Sequence, residues 1–351
     1  MPAIVEPTAV REVYQEAAER RVSLANICPE DRRSLEATLR AAWEFGGQIG
    51  VPDLPIIISF TGSYPDRPQL RLMTTSRELV LGFELMLSDI AVFMSDDSPY
   101  RRLRVLIHLD HGQPEADAEL LEKRADRLST VMYDCSTLPF DQNIEKTRRY
   151  VERMRGRVLV EGAVDEIYEA GSGRQKNEPT TVEQATRFIR ETGCFLIVPN
   201  LGTEHRASTS EKRYRGDRAR EIAHALGRVI VLHGTSSLSL DELANLKEDG
   251  IIKVNVWTAI TRDAGQALAK HILQDLGNYF DETELRSLQM QGHLGDLYFR
   301  RDYVERECKG RLGPKLASFS EPPRRDAWVA AAVQRIRFYM ERFGYERYAH
   351  K

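Results

Sequence analysis

Eight short apolar runs rich in β-branched residues recur along the chain, and their spacing constrains the fold more than any other feature. They are VSLANI (22–27), LPIIIS (54–59), RVLIHLD (104–110), TVMYDC (130–135), RVLVEG (157–162), CFLIVPN (194–200), RVIVLH (228–233) and IIKVNV (251–256). Between most neighbours lies a stretch of helical periodicity, such as EDRRSLEATLRAAWEF, EADAELLEKRADRL, QNIEKTRRYVERM or TVEQATRFIRET. Continuous apolar strands alternating with amphipathic helices predict a parallel sheet covered on its outer face. Eight such units predict an α/β fold, a (β/α)8 TIM barrel. The barrel catalytic domain is expected over 1–276. A C-terminal helical extension is expected over 277–351, packed on the barrel or on a neighbouring subunit and ending in the aromatic-rich stretch WVAAAVQRIRFYMERFGY.

In such barrels the loops after the strands build the functional face, so strand endings are the places to inspect. They read Asn26, Thr61 just past the second strand, Asp110-His111, Asp134, Glu161, the segment LGTEHR with His205, then His233 and Asn255. One polar strand end is ordinary; polar or metal-capable groups at nearly every one form a pattern. His111, His205 and His233 end units three, six and seven. Three imidazoles with an open fourth position suit a catalytic Zn2+ acting as a Lewis acid. The plain alternative for each histidine is a strand-end side chain bonded to backbone. Asp110 beside His111 suits proton transfer to or from a substrate oxygen, with a salt bridge or loop cap as its alternative. Asp134 and Glu161 are candidates to support the ligands or hold a second ion. His108 shares a strand face with Asp110, either packed inside the barrel or supporting a ligand. His224 and His271 fall in helical stretches, and His293 and His350 in the tail region.

The bulk properties exclude several classes. Lys+Arg 50 against Asp+Glu 53 gives a charge of -3, which does not favour a nucleic-acid or anionic-membrane partner. No apolar run approaches the roughly 20 residues that span a bilayer, and MPAIVEPTAVREVYQ lacks the apolar centre of a signal peptide. Cys28, Cys135, Cys194 and Cys308 are widely spaced with no CxxC pair, so reduced, packed thiols and a cytoplasmic location are expected. No G-x-G-x-x-G follows a strand, so a nicotinamide cofactor is not indicated.

HLDHG (108–112), VMYDCSTLPFDQNIEKTRRYVE (131–152), VEGAV (160–164), LGTEHR (201–206), VLHGTSS (231–237) and GIIKVNVWT (250–258) resemble, in the same order, segments of the class II, zinc-dependent fructose-bisphosphate and tagatose-bisphosphate aldolases. The resemblance covers most of residues 10 to 260 and marks the chain as a divergent member. It implies that His111, His205 and His233 hold one catalytic Zn2+ per chain. It also implies that Asp110 exchanges a proton with the aldehyde half, and that Asn255 orients the donor's enediolate. Asn26, Thr61, Gly202, Arg206, Gly234, Ser236 and Thr258 are then the substrate-binding candidates. The implied reaction is reversible aldol cleavage or condensation of a ketose or ketose phosphate through a zinc-stabilised enediolate of a dihydroxyacetone-phosphate-type donor. In the family an acid in the loop after the fifth strand handles the donor's carbon proton. Here Glu166 and Glu169 stand in DEIYEAGSGRQKNEPTT (165–181), a sequence that reads as a mobile loop over the mouth.

Departures from the family pattern point to a non-standard substrate. GTAHG becomes GTEHR, placing Arg206 after a proposed ligand, and HGGSG becomes HGTSS, with Thr235 and Ser237 for glycines that admit a phosphate to the backbone. N-x-D-T becomes Asn255-Val256-Trp257-Thr258, and V-E-A-E becomes Val160-Glu161-Gly162-Ala163. Arg206, Lys212 and Arg213 either rebuild an anion site or form a basic surface loop. The competing reading is a non-catalytic or regulatory barrel that binds metal or sugar phosphate. The expected partner is a small sugar-like or sugar-phosphate-like molecule, in a homodimer or homotetramer.

Overall fold

The computed structural model describes residues 3–166, 178–203 and 214–349. Eight parallel strands, β1 (Leu24–Ile27), β2 (Pro55–Thr61), β3 (Arg104–Gly112), β4 (Thr130–Tyr133), β5 (Leu159–Ala163), β6 (Leu196–Val198), β7 (Ile230–Leu232) and β8 (Ile251–Val256), close into a barrel in chain order. Every strand residue is buried except Arg104 at the entry to β3, which is why the sequence shows unbroken apolar runs rather than alternation. Closure pairs β1 with β8 and sets Asn26 beside Asn255.

The helices around this barrel are α1 (Pro7–Glu19), α2 (Arg32–Ile49), α3 (Gln69–Leu72), α4 (Leu79–Phe93), α5 (Ala118–Lys123), α6 (Phe140–Met154), α7 (Val182–Thr192), α8 (Gly216–Leu226) and α9 (Leu240–Asn245). Their boundaries follow local chemistry. Asp31 and Thr181 open α2 and α7 with reciprocal capping boxes, and Gly50 and Gly193 close them in the left-handed conformation. The sequence reading assigned no element to the first segment. There, α1 buries Val10, Val13, Tyr14 and Ala17.

Strand alternation sends polar side chains into the barrel. Ser59 on β2 pairs in register with His108 on β3, which pairs with Thr130 on β4. Inside, Lys253 Nζ lies 2.7 Å from both carboxylate oxygens of Glu161, and neither side chain has any exposure. This pair occupies the depth of a structural core, so its charges have little water to interact with.

Two compact units are distinguished, Met1–Ala259 with Ile336–Lys351, and Ile260–Arg335. In the first, the Tyr345 hydroxyl accepts a 2.9 Å hydrogen bond from the backbone N–H of Ala25 on β1. The remaining helices are α10 (Thr258–Gln274), α11 (Glu282–Met290), α12 (Arg301–Cys308), α13 (Leu316–Phe319) and α14 (Glu321–Arg342). The second unit has its own small core of Leu276, Leu285, Tyr298, Tyr303 and Cys308. Among the described residues, no helix is long and apolar enough to cross a membrane.

Candidate metal and proton-transfer site

β3 carries the decisive irregularity. In a regular strand consecutive side chains point to opposite faces, so Asp110 and His111 would part company. The pairing with β4 shifts register between Leu109 and Gly112, and His111 takes a left-handed backbone with φ of 46°. A bulge of this kind re-aims side chains at a strand end, and a non-glycine residue held at positive φ is strained unless its surroundings compensate. The result brings Asp110, His111 and His233, all buried, into one group whose ligand-capable atoms lie within 4.8 Å of one another.

Each member is oriented by a neighbour. His111 Nδ1 lies 2.7 Å from Asp134 Oδ2, while Asp134 Oδ1 accepts from the Ser136 N–H and hydroxyl. A carboxylate on one imidazole nitrogen fixes the tautomer and leaves the other nitrogen as a lone-pair donor, as at histidine metal ligands. Tyr64 stacks on the His111 ring at 4.3 Å, and the His233 ring stands perpendicular to it at 4.9 Å. Asn255 Nδ2 lies 2.9 Å from His233 Nε2 and donates to Asp110 Oδ2 at 3.2 Å, while Asn255 Oδ1 accepts from Asn26 Nδ2 at 2.6 Å. Asn26 therefore acts through Asn255.

The electrostatics follow from this crowding. Burial works against ionisation of Asp110, but His111, His233 and His108 outweigh it and hold its carboxyl well below the usual range. Burial also opposes charge on His111, which Asp110 and Asp134 nevertheless push upward. Asp110 Oδ1 is buried, lies 3.6 Å from His108 Nε2, and accepts no hydrogen bond from the described residues. A buried carboxylate oxygen without a donor calls for a proton or a cation. Beside this carboxylate, the His111 and His233 imidazoles are nitrogen donors of the kind that hold a divalent ion such as Zn2+.

A cavity of about 60 Å3 opens on the site, lined by Cys28, Arg67, Asp110, His233, Gly234, Thr235, Ser236, Asn255, Val256, Trp257 and Thr258. Gly234, Ser236 and Thr258 of the substrate-binding candidates thus border it directly. Thr61 does not, since its hydroxyl donates to the Arg67 carbonyl and its N–H to Gln69 Oε1 at 2.9 Å. Gly202 lies apart, at φ of 80° with its N–H on Asn200 Oδ1 at 2.9 Å. Glu161 faces Lys253 and stands outside the Asp110–His111–His233 group. Glu166 is half-buried at the start of the loop after β5. Glu169, His205, Arg206, Lys212 and Arg213 lie outside the described residues.

Sequence reasoning missed Arg67 and Lys253. A polar loop gives no hint of the first, but a lysine inside the apolar run IIKVNV signals a buried partner.

The family described as class-II fructose-bisphosphate aldolase matches residues 8–295. Among solved structures, a fructose-bisphosphate aldolase from Campylobacter jejuni superposes with a TM-score of 0.73 at 15% identity, covering 97% of this chain and 95% of that one. The YdjI aldolase from Escherichia coli K12 superposes with a TM-score of 0.60 at 17% identity, over 94% and 95%. At these identities the structural likeness establishes the fold.

Proposed function

We propose, from the premise that the chain belongs to the class-II fructose-bisphosphate aldolase family, that it is a metal-dependent aldehyde-lyase working by reversible aldol cleavage or condensation on a substrate other than fructose 1,6-bisphosphate. The observation that carries the reading is the buried Asp110–His111–His233 group, with an Asp110 oxygen that no described residue satisfies. His111 and His233, with His205, would hold the ion, and Zn2+ bound there would supply Lewis-acid polarisation of the donor's carbonyl.

The protein's own groups carry the protons. In the cleavage direction the Asp110 carboxylate takes the proton of the hydroxyl on the carbon that becomes the aldehyde. The carbon–carbon bond breaks, and its electron pair passes to the donor half as an enediolate. Asn255 donates its amide N–H toward the developing oxyanion, held in place by Asn26. Protonation of the enediolate carbon by an acid of the loop after β5, Glu166 or Glu169, completes the donor product. In the condensation direction the same groups run in reverse.

Two features support a changed substrate. Thr235 and Ser237 spend their hydroxyls internally, on the Asn255 carbonyl at 2.9 Å and the Gly234 carbonyl at 2.8 Å. Trp257 and Arg67 line the cavity beside Asp110, His233 and Asn255, and Trp257 stands where the family pattern carries a small acid. Assembly as a homodimer or homotetramer belongs to the same reading.

The test is metal content on protein purified without chelator, followed by hydrogen–deuterium exchange at the carbon of dihydroxyacetone phosphate. About one Zn2+ per chain is expected, lost in His111→Ala and His233→Ala. Asp110→Ala should keep the ion and lose roughly 10²-fold or more in turnover. Absence of metal in the wild type would make this a binding or regulatory barrel. Cleavage of fructose 1,6-bisphosphate with an efficiency of about 10⁴ M⁻¹s⁻¹ or more would reject the changed substrate.

A further inference from the structure

Arg67 sits in the loop TGSYPDRPQL that follows β2, where a charged side chain is ordinarily solvated. Here the loop is stitched to the barrel. The Thr61 hydroxyl donates to the Arg67 carbonyl, the Arg67 N–H reaches the Tyr64 carbonyl at 3.0 Å, and Gln69 ties Thr61 to the Pro29 carbonyl at 2.8 Å. Pro68 further restricts the Arg67 backbone.

The side chain is then laid against Trp257, its guanidinium carbon 4.0 Å from the centre of the indole, with 15% exposure. Nη2 donates to the Cys28 carbonyl at 2.8 Å. Nε is buried and has no hydrogen-bond partner among the described residues, Glu30 being 3.7 Å away and itself half exposed. A guanidinium with one face covered by an indole offers only its edge, the part that binds carboxylate or phosphate oxygens. Arg67 lines the same cavity as Asp110, His233, Asn255 and Ser236.

We infer that Arg67, clamped on Trp257, is the anion-recognising and specificity-determining residue of this cavity, selecting substrates that carry an oxyanion group, phosphate ester or carboxylate, close to the reacting carbons. The inference rests on the cavity being the substrate site. Trp257 does two jobs in it. It replaces the small acid that the family pattern carries at this position, whose charge would compete for Arg67, and its bulk sets the depth to which the anion enters.

Equilibrium binding to metal-loaded protein tests this without turnover, using dihydroxyacetone phosphate, hydroxypyruvate and neutral dihydroxyacetone, with inorganic phosphate as a minimal probe and Trp257 fluorescence as a second readout. Wild type should bind at least one of the two charged ketones at least tenfold more tightly than dihydroxyacetone, and which one identifies phosphate or carboxylate as the preferred oxyanion. Arg67→Met should bring that ratio close to one with zinc content unchanged, and Arg67→Lys should recover part of it for phosphate but little for carboxylate. If Arg67→Met does not fold, Trp257→Leu, which keeps the arginine but removes its platform, should lower the ratio at least threefold. An unchanged ratio in these variants overturns the inference, as does a wild type that binds none of the four probes. Loss of metal binding or carbon exchange with an intact Arg67-dependent ratio would instead reject the aldolase reading and leave this one standing.

Discussion

Replacing Lys253 by methionine leaves the Glu161 carboxylate at zero exposure inside the barrel without its ammonium partner, His108 Nε2 standing 3.7 Å away. At 2.7 Å, an effective dielectric of about 20 gives an attraction of about 6 kcal/mol. Desolvation costs several kcal/mol for each ion, so the intact pair contributes little net stability. Breaking it is another matter. Lys253→Met should cost about 3–5 kcal/mol, and Glu161→Leu a similar amount, because each leaves one buried charge uncompensated. Lys253→Met with Glu161→Leu removes both charges and fills the space with apolar volume, so its cost should fall below about 2 kcal/mol. The coupling is therefore at least about 4 kcal/mol, well outside the roughly 0.5 kcal/mol within which independent sites add. Urea unfolding of all four proteins in chelator, to hold metal linkage fixed, measures it. A double variant as unstable as the sum of the singles would refute this account of the barrel's interior.

Two further perturbations probe the frame around the site. An alanine methyl at Gly62 would lie 2.4 to 2.9 Å from the Asp117 carboxylate, a short buried side chain already accepting from the Gln113 N–H at 2.9 Å. Gly62→Ala should therefore cost about 1–3 kcal/mol in a urea titration and weaken anion binding through Arg67; an unchanged midpoint would show that the loop yields freely. Burial opposes charge on Glu16, but Arg104 and Arg20 outweigh it and hold its carboxyl below the usual value. A carboxyl depressed in the folded state stabilises above its unfolded pKa of about 4.3, and that stability is lost as pH falls through the folded value. Glu16→Gln should thus be less stable than wild type at pH 7, by under about 1 kcal/mol, with the gap closing as pH falls below the usual carboxylate range; a gap independent of pH contradicts the assignment.

How far the sequence carries depends on which physics sets each feature. The strands were legible because both faces of each are buried, so every residue obeys one rule. Their polar endings were legible too, and His233, Asn255 and Asp110 do meet. What alternation could not convey is that Asp110 and His111 share one side, because a register shift and one left-handed residue leave no mark in composition. Lys253 could have been paired with Glu161 from the rule that interior lysines need partners, yet nothing local says which acid. Arg67 was illegible for the opposite reason. A charged residue in a polar loop looks solvated until the fold delivers an indole from the far end of the barrel sequence. The helix α1 escaped notice because its segment was read only for the acidic groups that stand where a leader peptide needs an apolar core.

The bulge at the end of β3 has a mechanical corollary. Asp110 and His111 are joined by a single planar peptide unit, so covalent geometry holds their Cα atoms about 3.8 Å apart, and the distance between proton carrier and ion ligand is set by the torsions of these two residues alone rather than by the packing of separate elements. Surrounding loops can open, close or change their sequence without retuning that distance. A barrel built this way can exchange the walls of its cavity, as with Trp257 and Arg67, while the spacing on which its chemistry depends travels intact with one covalent link.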